Sequence, residues 1–177
     1  MYTVTSTKDL AELLDRVDDD VVNIEAPDGA VIELHSDRRV VLRRGAAVLE
    51  NHAADGEVGN CATGGHVLNY AANGWATNNA VCGLATNHGD GGLAVNNAVC
   101  GLAVNHGECG LAANYGVCGL ALNYTDDGRA VNSGIDGRAA NWGEGGWAVN
   151  YGDGGLAVNY AVYGLAVTPD RWQMSMI

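Results

Sequence analysis

From Ala47 onward one residue type returns every nine positions: Asn51, Asn60, Asn69, Asn78, Asn87, Asn96, Asn105, Asn114, Asn123, Asn132, Asn141, Asn150 and Asn159. Self-similarity at so short a fixed period marks a stacked repeat rather than an ordinary globular core. With Ala47 as slot one, Asn fills slot five of thirteen consecutive units. Slot three is apolar throughout, Leu49, Val58 and Val67 and then Ala from Ala76 to Ala157, and slot seven is always small. Slot one is Gly in every unit after the first. Slot two, by contrast, admits Trp75, Leu84, Arg129, Arg138 and Trp147, and slot six admits Asn79, His88, Tyr115, Ser133 and Trp142.

Restricted odd slots and free even slots are the alternation of an extended strand, whose successive side chains leave on opposite faces. Each unit therefore reads as a short strand over roughly slots two to six, closed by a turn at the Gly-rich junction. Slot eight shows how many units close one coil. It runs Val81, Asp90, Val99, Glu108, Val117, Asp126, Ile135, Glu144, apolar and acidic in turn, before Asp153 and Val162 break phase. That period of 18 means two units per coil, whereas a three-sided coil would repeat every 27. The expected fold is all-β, a flattened parallel β-solenoid with about two nine-residue repeats per coil. Six and a half such coils, at about 4.8 Å per rung, make a rod about 31 Å long. Asn78, Asn87, Asn96, Asn105, Asn114, Asn123, Asn132, Asn141, Asn150 and Asn159 form its structural ladder. A side-chain amide carries both donor and acceptor, so like amides one rung apart satisfy each other. Asn96 and Asn114 must then be immediate neighbours.

Two assignments of the inner face compete. Even slots inward would bury Glu50, Glu57, His66, Arg129 and Arg138, at several kcal/mol for each unpaired charge. Odd slots inward leave a thin core of Ala, Asn and Gly and put the large residues outside, and this is the assignment adopted. The expected interaction face then includes Leu93, Val95, Leu102, Val104, Tyr115, Trp142, Trp147 and Tyr151. An apolar surface of that extent exceeds what a lone soluble monomer usually shows. It points to a partner, either a second copy or another protein.

A stack of coils grows indefinitely unless its ends are covered. Residues 1–46 supply the N-terminal cap. They comprise a leading strand, a helix over 8–17 and irregular opening coils at Val21 to Ile24, Val31 to Leu34 and Val40 to Leu42. Ser6-Thr7-Lys8-Asp9 gives the helix an N-cap, and Leu10, Leu13, Leu14 and Val17 its apolar stripe. The solenoid occupies 47–167. Residues 168–177 are a C-terminal tail, with Trp172, Met174, Met176 and Ile177 expected to fold over the last rung or to mediate assembly.

The chain carries a formal charge of −12, spread along its length. Nucleic acid and anionic membrane are therefore not expected as partners, since both need basic patches. No apolar run is long enough for a leader or a membrane span, which makes the expected location cytoplasmic, with a virion or cell-envelope assembly also open. Five cysteines without an export signal read as reduced thiols. Cys82, Cys100 and Cys118, 18 apart, with Cys109 on the opposite side, read as stacked core thiols. Asp90, Glu108, Asp126 and Glu144 line one edge, either solvated or neutralised by a bound cation such as Ca²⁺. His88 and His106 each stand two residues from an acid, and with Asp90 and Glu108 they offer a candidate transition-metal square. No nucleophile elbow, phosphate loop, dinucleotide fingerprint or Cys-x-x-Cys occurs, and no insertion builds a cleft, so neither an enzyme nor a resident cofactor is expected.

The nonapeptide period and the two-unit coil resemble parallel β-solenoid proteins and, loosely, the RTX β-roll. That likeness implies Ca²⁺ on the acidic edge. Gly152-Asp153-Gly154-Gly155 carries it, while the full Gly-Gly-x-Gly-x-Asp motif is not repeated. Insect-type antifreeze solenoids share the small interior but present regular Thr arrays, whereas slot four holds Thr only at Thr77 and Thr86. Charge and shape are similar to acidic pentapeptide-repeat rods that mimic DNA, and the uninterrupted array is similar to bacterial and phage β-solenoid assembly components. These likenesses imply a noncatalytic structural or interaction module, with an inhibitory DNA mimic and a metal-binding rod as alternatives.

Overall fold

The computed structural model describes residues 1–168. The tail residues expected to close or extend the last rung, Trp172 to Ile177, lie outside the described residues. The chain opens with β1 (Tyr2–Thr3), α1 (Thr7–Leu14), β2 (Val21–Glu25), β3 (Val31–Leu34) and β4 (Arg39–Arg44). Every later unit then contributes one strand, from slot two to its Asn, beginning with Val48–Asn51 and ending with Leu156–Asn159, and Leu165–Val167 completes the series. All pairings are parallel, and within the repeats each residue lies beside the one 18 positions on, as in Leu93 beside Leu111 and Asn96 beside Asn114. Odd units pair only with odd units and even with even. Among the described residues the odd sheet has eight strands and starts at β3, and the even sheet has ten and starts at β1. The molecule is the flattened parallel β-solenoid that slot eight implies. At about 4.8 Å per rung the even sheet is about 43 Å long. It is longer than the repeats alone require because β2 and β4 already stack in register with them.

Odd slots point inward. Slot-three Ala residues from Ala76 to Ala148 are buried, and so is every slot-five Asn from Asn51 to Asn150. Asn96 shows the bonding that most of the ladder repeats: its Nδ2 donates to Asn114 Oδ1 at 2.6 Å and to Ala98 O at 2.9 Å, while its Oδ1 accepts from Asn78 Nδ2 at 2.8 Å and from the Ala98 N–H at 3.3 Å. One column runs from Asn51 through Asn105 to Asn159 in the odd sheet and another from Asn60 through Asn96 to Asn150 in the even sheet. No buried side-chain N or O lacks a partner among the described residues.

The ladder explains the invariant slot-one glycine. A Cβ on Gly101 would sit 2.0 Å from Asn96 Oδ1, so this Gly clears space for the amide of the preceding unit. Ala47 is tolerated because the residue five positions earlier is Leu42, not Asn. Slot nine takes the left-handed conformation in every unit. Gly, Asn and Asp fill it at Gly64, Asn73, Gly91 and Asp127, but Cys82, Cys100, Cys109 and Cys118 adopt it too, at φ of 54 to 58°. For a residue with a Cβ this conformation costs roughly 1–2 kcal/mol.

The interior tapers. Ile24, Ile32, Leu34, Leu42, Leu49, Val58 and Val67 fill the first coils, and Ala takes over from Ala76. Leu10 and Leu13 of α1 join this larger core and close its N-terminal end. Ser6 caps the helix as its position implies, its Oγ accepting from the Asp9 N–H at 3.2 Å. The helix ends at Leu14 rather than at residue 17. Arg38, from the first coil, donates to the carbonyl oxygens of Leu14 at 3.4 Å and Val17 at 2.6 Å, satisfying the chain end that another helical turn would have used.

Candidate functional surfaces: two unlike edges

Because successive units alternate between sheets, all odd-unit turns fall on one edge of the rod and all even-unit turns on the other. The odd edge carries slot six as a continuous pile of rings: His35, His52, Tyr70, His88, His106, Tyr124, Trp142 and Tyr160. Neighbouring centroids are 4.8 to 5.2 Å apart, and the planes of His88 and His106 differ by only 7°. The rung spacing imposes this, since identical slots on successive coils leave no room for edge-to-face packing. Burial, aided by the neighbouring His106, holds His88 below the ordinary histidine range, and burial does the same for His106.

The same edge carries Asp90, Glu108, Asp126 and Glu144. Backbone donors stitch part of this row together: Asp90 Oδ1 accepts from the Glu108 N–H at 3.2 Å and Asp126 Oδ1 from the Glu144 N–H at 2.9 Å. The four side chains of the candidate square, His88, Asp90, His106 and Glu108, do not bring their donor atoms together. Its two imidazoles lie face to face, so their in-plane lone pairs run parallel and cannot converge on one ion. Among the described residues, the one group of three ligating side chains whose donor atoms lie within 4.8 Å of one another is Glu33, Glu50 and His52. Glu33 and Glu50 are register partners on β3 and the first repeat strand. His35 sits 2.8 Å from Glu33, and His52 sits 3.2 Å from Glu50. Sequence reasoning missed this cluster because its step is 17 residues and half of it precedes the nine-residue frame. The recurring Glu-x-His was the available signal.

The even edge differs in chemistry. Slot eight there holds exposed Val81, Val99, Val117 and Ile135, and slot nine holds Cys82, Cys100 and Cys118. These thiols are exposed and not core residues, which corrects the reading from their 18-residue spacing. Slot nine is a left-handed corner outside the sheet, and a side chain there faces solvent. Cys109 is exposed on the odd edge, and Cys61 is half-buried beside Arg43 Nη1 at 3.2 Å.

The residues expected to share one interaction face are distributed over the whole surface. Leu93, Val95 and Trp147 lie on the even sheet, Leu102 and Val104 on the odd sheet, Trp142 in the ring pile, and Tyr115 and Tyr151 on the even edge. On the outer face of the odd sheet, Val104, Leu122 and Ala140 pack with Leu84, Leu102 and Leu120 into an apolar cluster separate from the interior. The fold and these surfaces define a structural repeat protein, a parallel β-solenoid with an asparagine ladder. The chain matches no protein-family model, no curated protein and no solved structure. No helix among the described residues is long and apolar enough to cross a membrane.

Proposed function

We propose that this protein is a noncatalytic structural rod that associates through the outer face of its odd sheet, with a second copy of itself as the first occupant and another protein as the alternative. The observation that supports this is the outer-face cluster in which Leu84, Leu102 and Leu120, partly exposed, pack against Val104, Leu122 and Ala140, themselves buried. An apolar patch on a flat, rigid sheet offers contact area with little side-chain ordering left to lose on binding. Two such faces can meet about a twofold axis, each presenting the same patch. Size-exclusion chromatography with light scattering tests the reading. The intact chain is expected to run at a multiple of 18.3 kDa, and the double substitution Leu102→Glu with Leu120→Glu to run as a monomer. A wild-type chain that stays monomeric at every concentration removes self-association.

The Glu33, Glu50 and His52 cluster favours a second reading, a divalent cation bound beside the capping helix. Two register-paired carboxylates with an imidazole suit a late first-row ion such as Zn²⁺. Added Zn²⁺ would then raise the melting temperature of the wild type and leave Glu50→Gln unmoved. Equal shifts in both proteins would dispose of it.

A further inference from the structure

The even edge holds three thiols on successive rungs, and neither backbone nor packing accounts for them. Most other units fill the same corner with Gly, Asn or Asp, as at Gly64, Asn73, Gly91, Asp127 and Asp136, residue types that suit a left-handed backbone, with Cys109 and Tyr163 the other departures. Cys is not one of them, and at Cys82, Cys100 and Cys118 the side chain gains no burial in return. What distinguishes it at this corner is the chemistry of sulfur.

Spacing narrows that chemistry. The corners are tied coil to coil: Cys82 N–H donates to Val99 O at 3.1 Å, Cys100 N–H to Val117 O at 2.8 Å and Cys118 N–H to Ile135 O at 2.8 Å. Equivalent atoms on neighbouring rungs are thus about 4.8 Å apart. Parallel side chains at that spacing hold their Cβ atoms just beyond the roughly 3.5–4.5 Å that a disulfide takes. A metal ion held in line between two thiolates spans more: with the zinc–sulfur length of about 2.3 Å taken as a guide for each bond, the sulfurs stand about 4.6 Å apart. That distance nearly equals the rung repeat. Thiolates select soft ions such as copper(I), and the residue before each thiol is an exposed aliphatic one, Val81, Val99 or Val117; the next rung of the same corner holds Asp136, a hard oxygen donor that ends the sulfur column.

We infer that Cys82, Cys100 and Cys118 form a ladder site for soft, two-coordinate monovalent cations of the copper(I) and silver(I) kind, with one ion between each pair of neighbouring rungs. Two ions on three sulfurs make Cys100 the shared bridge. Loading displaces one proton from each thiol, so two cations release three protons and leave the cluster with one net negative charge.

The test is a titration of the fully reduced, full-length protein with copper(I) in the presence of a competing copper(I) chelator strong enough to strip single thiols. The wild type is expected to retain two ions. Cys100→Ser is expected to retain none, because Cys82 and Cys118 are then about 9.6 Å apart, two rungs of about 4.8 Å. Cys82→Ser and Cys118→Ser should each retain one, and Cys61→Ser and Cys109→Ser should keep both. Far-UV circular dichroism establishes that each variant keeps its strands. Full retention by Cys100→Ser, or loss of retention in Cys109→Ser, overturns the proposal, and so does copper-dependent dimerisation in place of intramolecular uptake.

Discussion

Asn105 shows how a polar residue can be the core. Its Nδ2 donates to Gly107 O at 2.8 Å and Asn123 Oδ1 at 2.7 Å, and its Oδ1 accepts from Asn87 Nδ2 at 2.7 Å. Asn105→Ala would orphan donors and acceptors on both neighbouring rungs, a loss of about 3 kcal/mol or more in a denaturant melt. A change under about 0.5 kcal/mol, the size of a surface substitution, would mean the ladder is incidental. His88 and His106 make a pH prediction. Their pKa values are depressed on folding, so below about pH 6.5 the unfolded chain takes up protons that the folded stack refuses. Their contribution is therefore complete above that pH and is lost as pH falls toward the depressed folded values. The urea midpoint should drop between about pH 8 and pH 5, and drop less in the His88→Tyr, His106→Tyr double variant, which fills the column with the residue type of Tyr70 and Tyr124. Equal slopes would contradict this. The amide column was plain in the sequence, because one residue type marks it. The ring column was not: His, Tyr and Trp share flatness but no letter.

At the scale of the element, each strand ends where its amide turns inward, and the glycine that follows exists to make room for it. Gly101→Ala, whose Cβ would stand 2.0 Å from Asn96 Oδ1, should destabilise by about 3 kcal/mol, the upper end for overpacking. A melt unchanged from wild type would show that the amide can move aside. In the cap, Ser6→Ala removes the Asp9 N–H acceptor and should cost about 1 kcal/mol, read in the same melt. Strands and cap were legible because alternation and capping are local signals. The helix end was not, since the Arg38 guanidinium that terminates it arrives from 21 residues away. The thiol positions misled for a related reason. Spacing reports which residues stack, but the left-handed corner decides which way they face.

For the whole molecule, interior and edges keep different counts. Inside, every unit is equivalent, so the period is nine; outside, rings and acids line one edge and thiols and valines the other, so the period is 18. Deleting residues 92–109 removes one full coil and should leave strand content and melting temperature nearly unchanged. Deleting residues 92–100 should still give a folded rod, since Ala and Asn columns continue, but would bring Tyr115 onto the edge of His88 and Asn79 into line with His106. A lower melting temperature for the shorter deletion than for the longer one is the expected result, and the reverse order would show that the edges contribute no order of their own. Every ladder amide also points the same way, its nitrogen toward the higher-numbered coil and its oxygen toward the cap. Two files of aligned dipoles therefore give the rod an electrical sense: carbonyl oxygens lead at the helix-capped end, and N–H groups trail at the other.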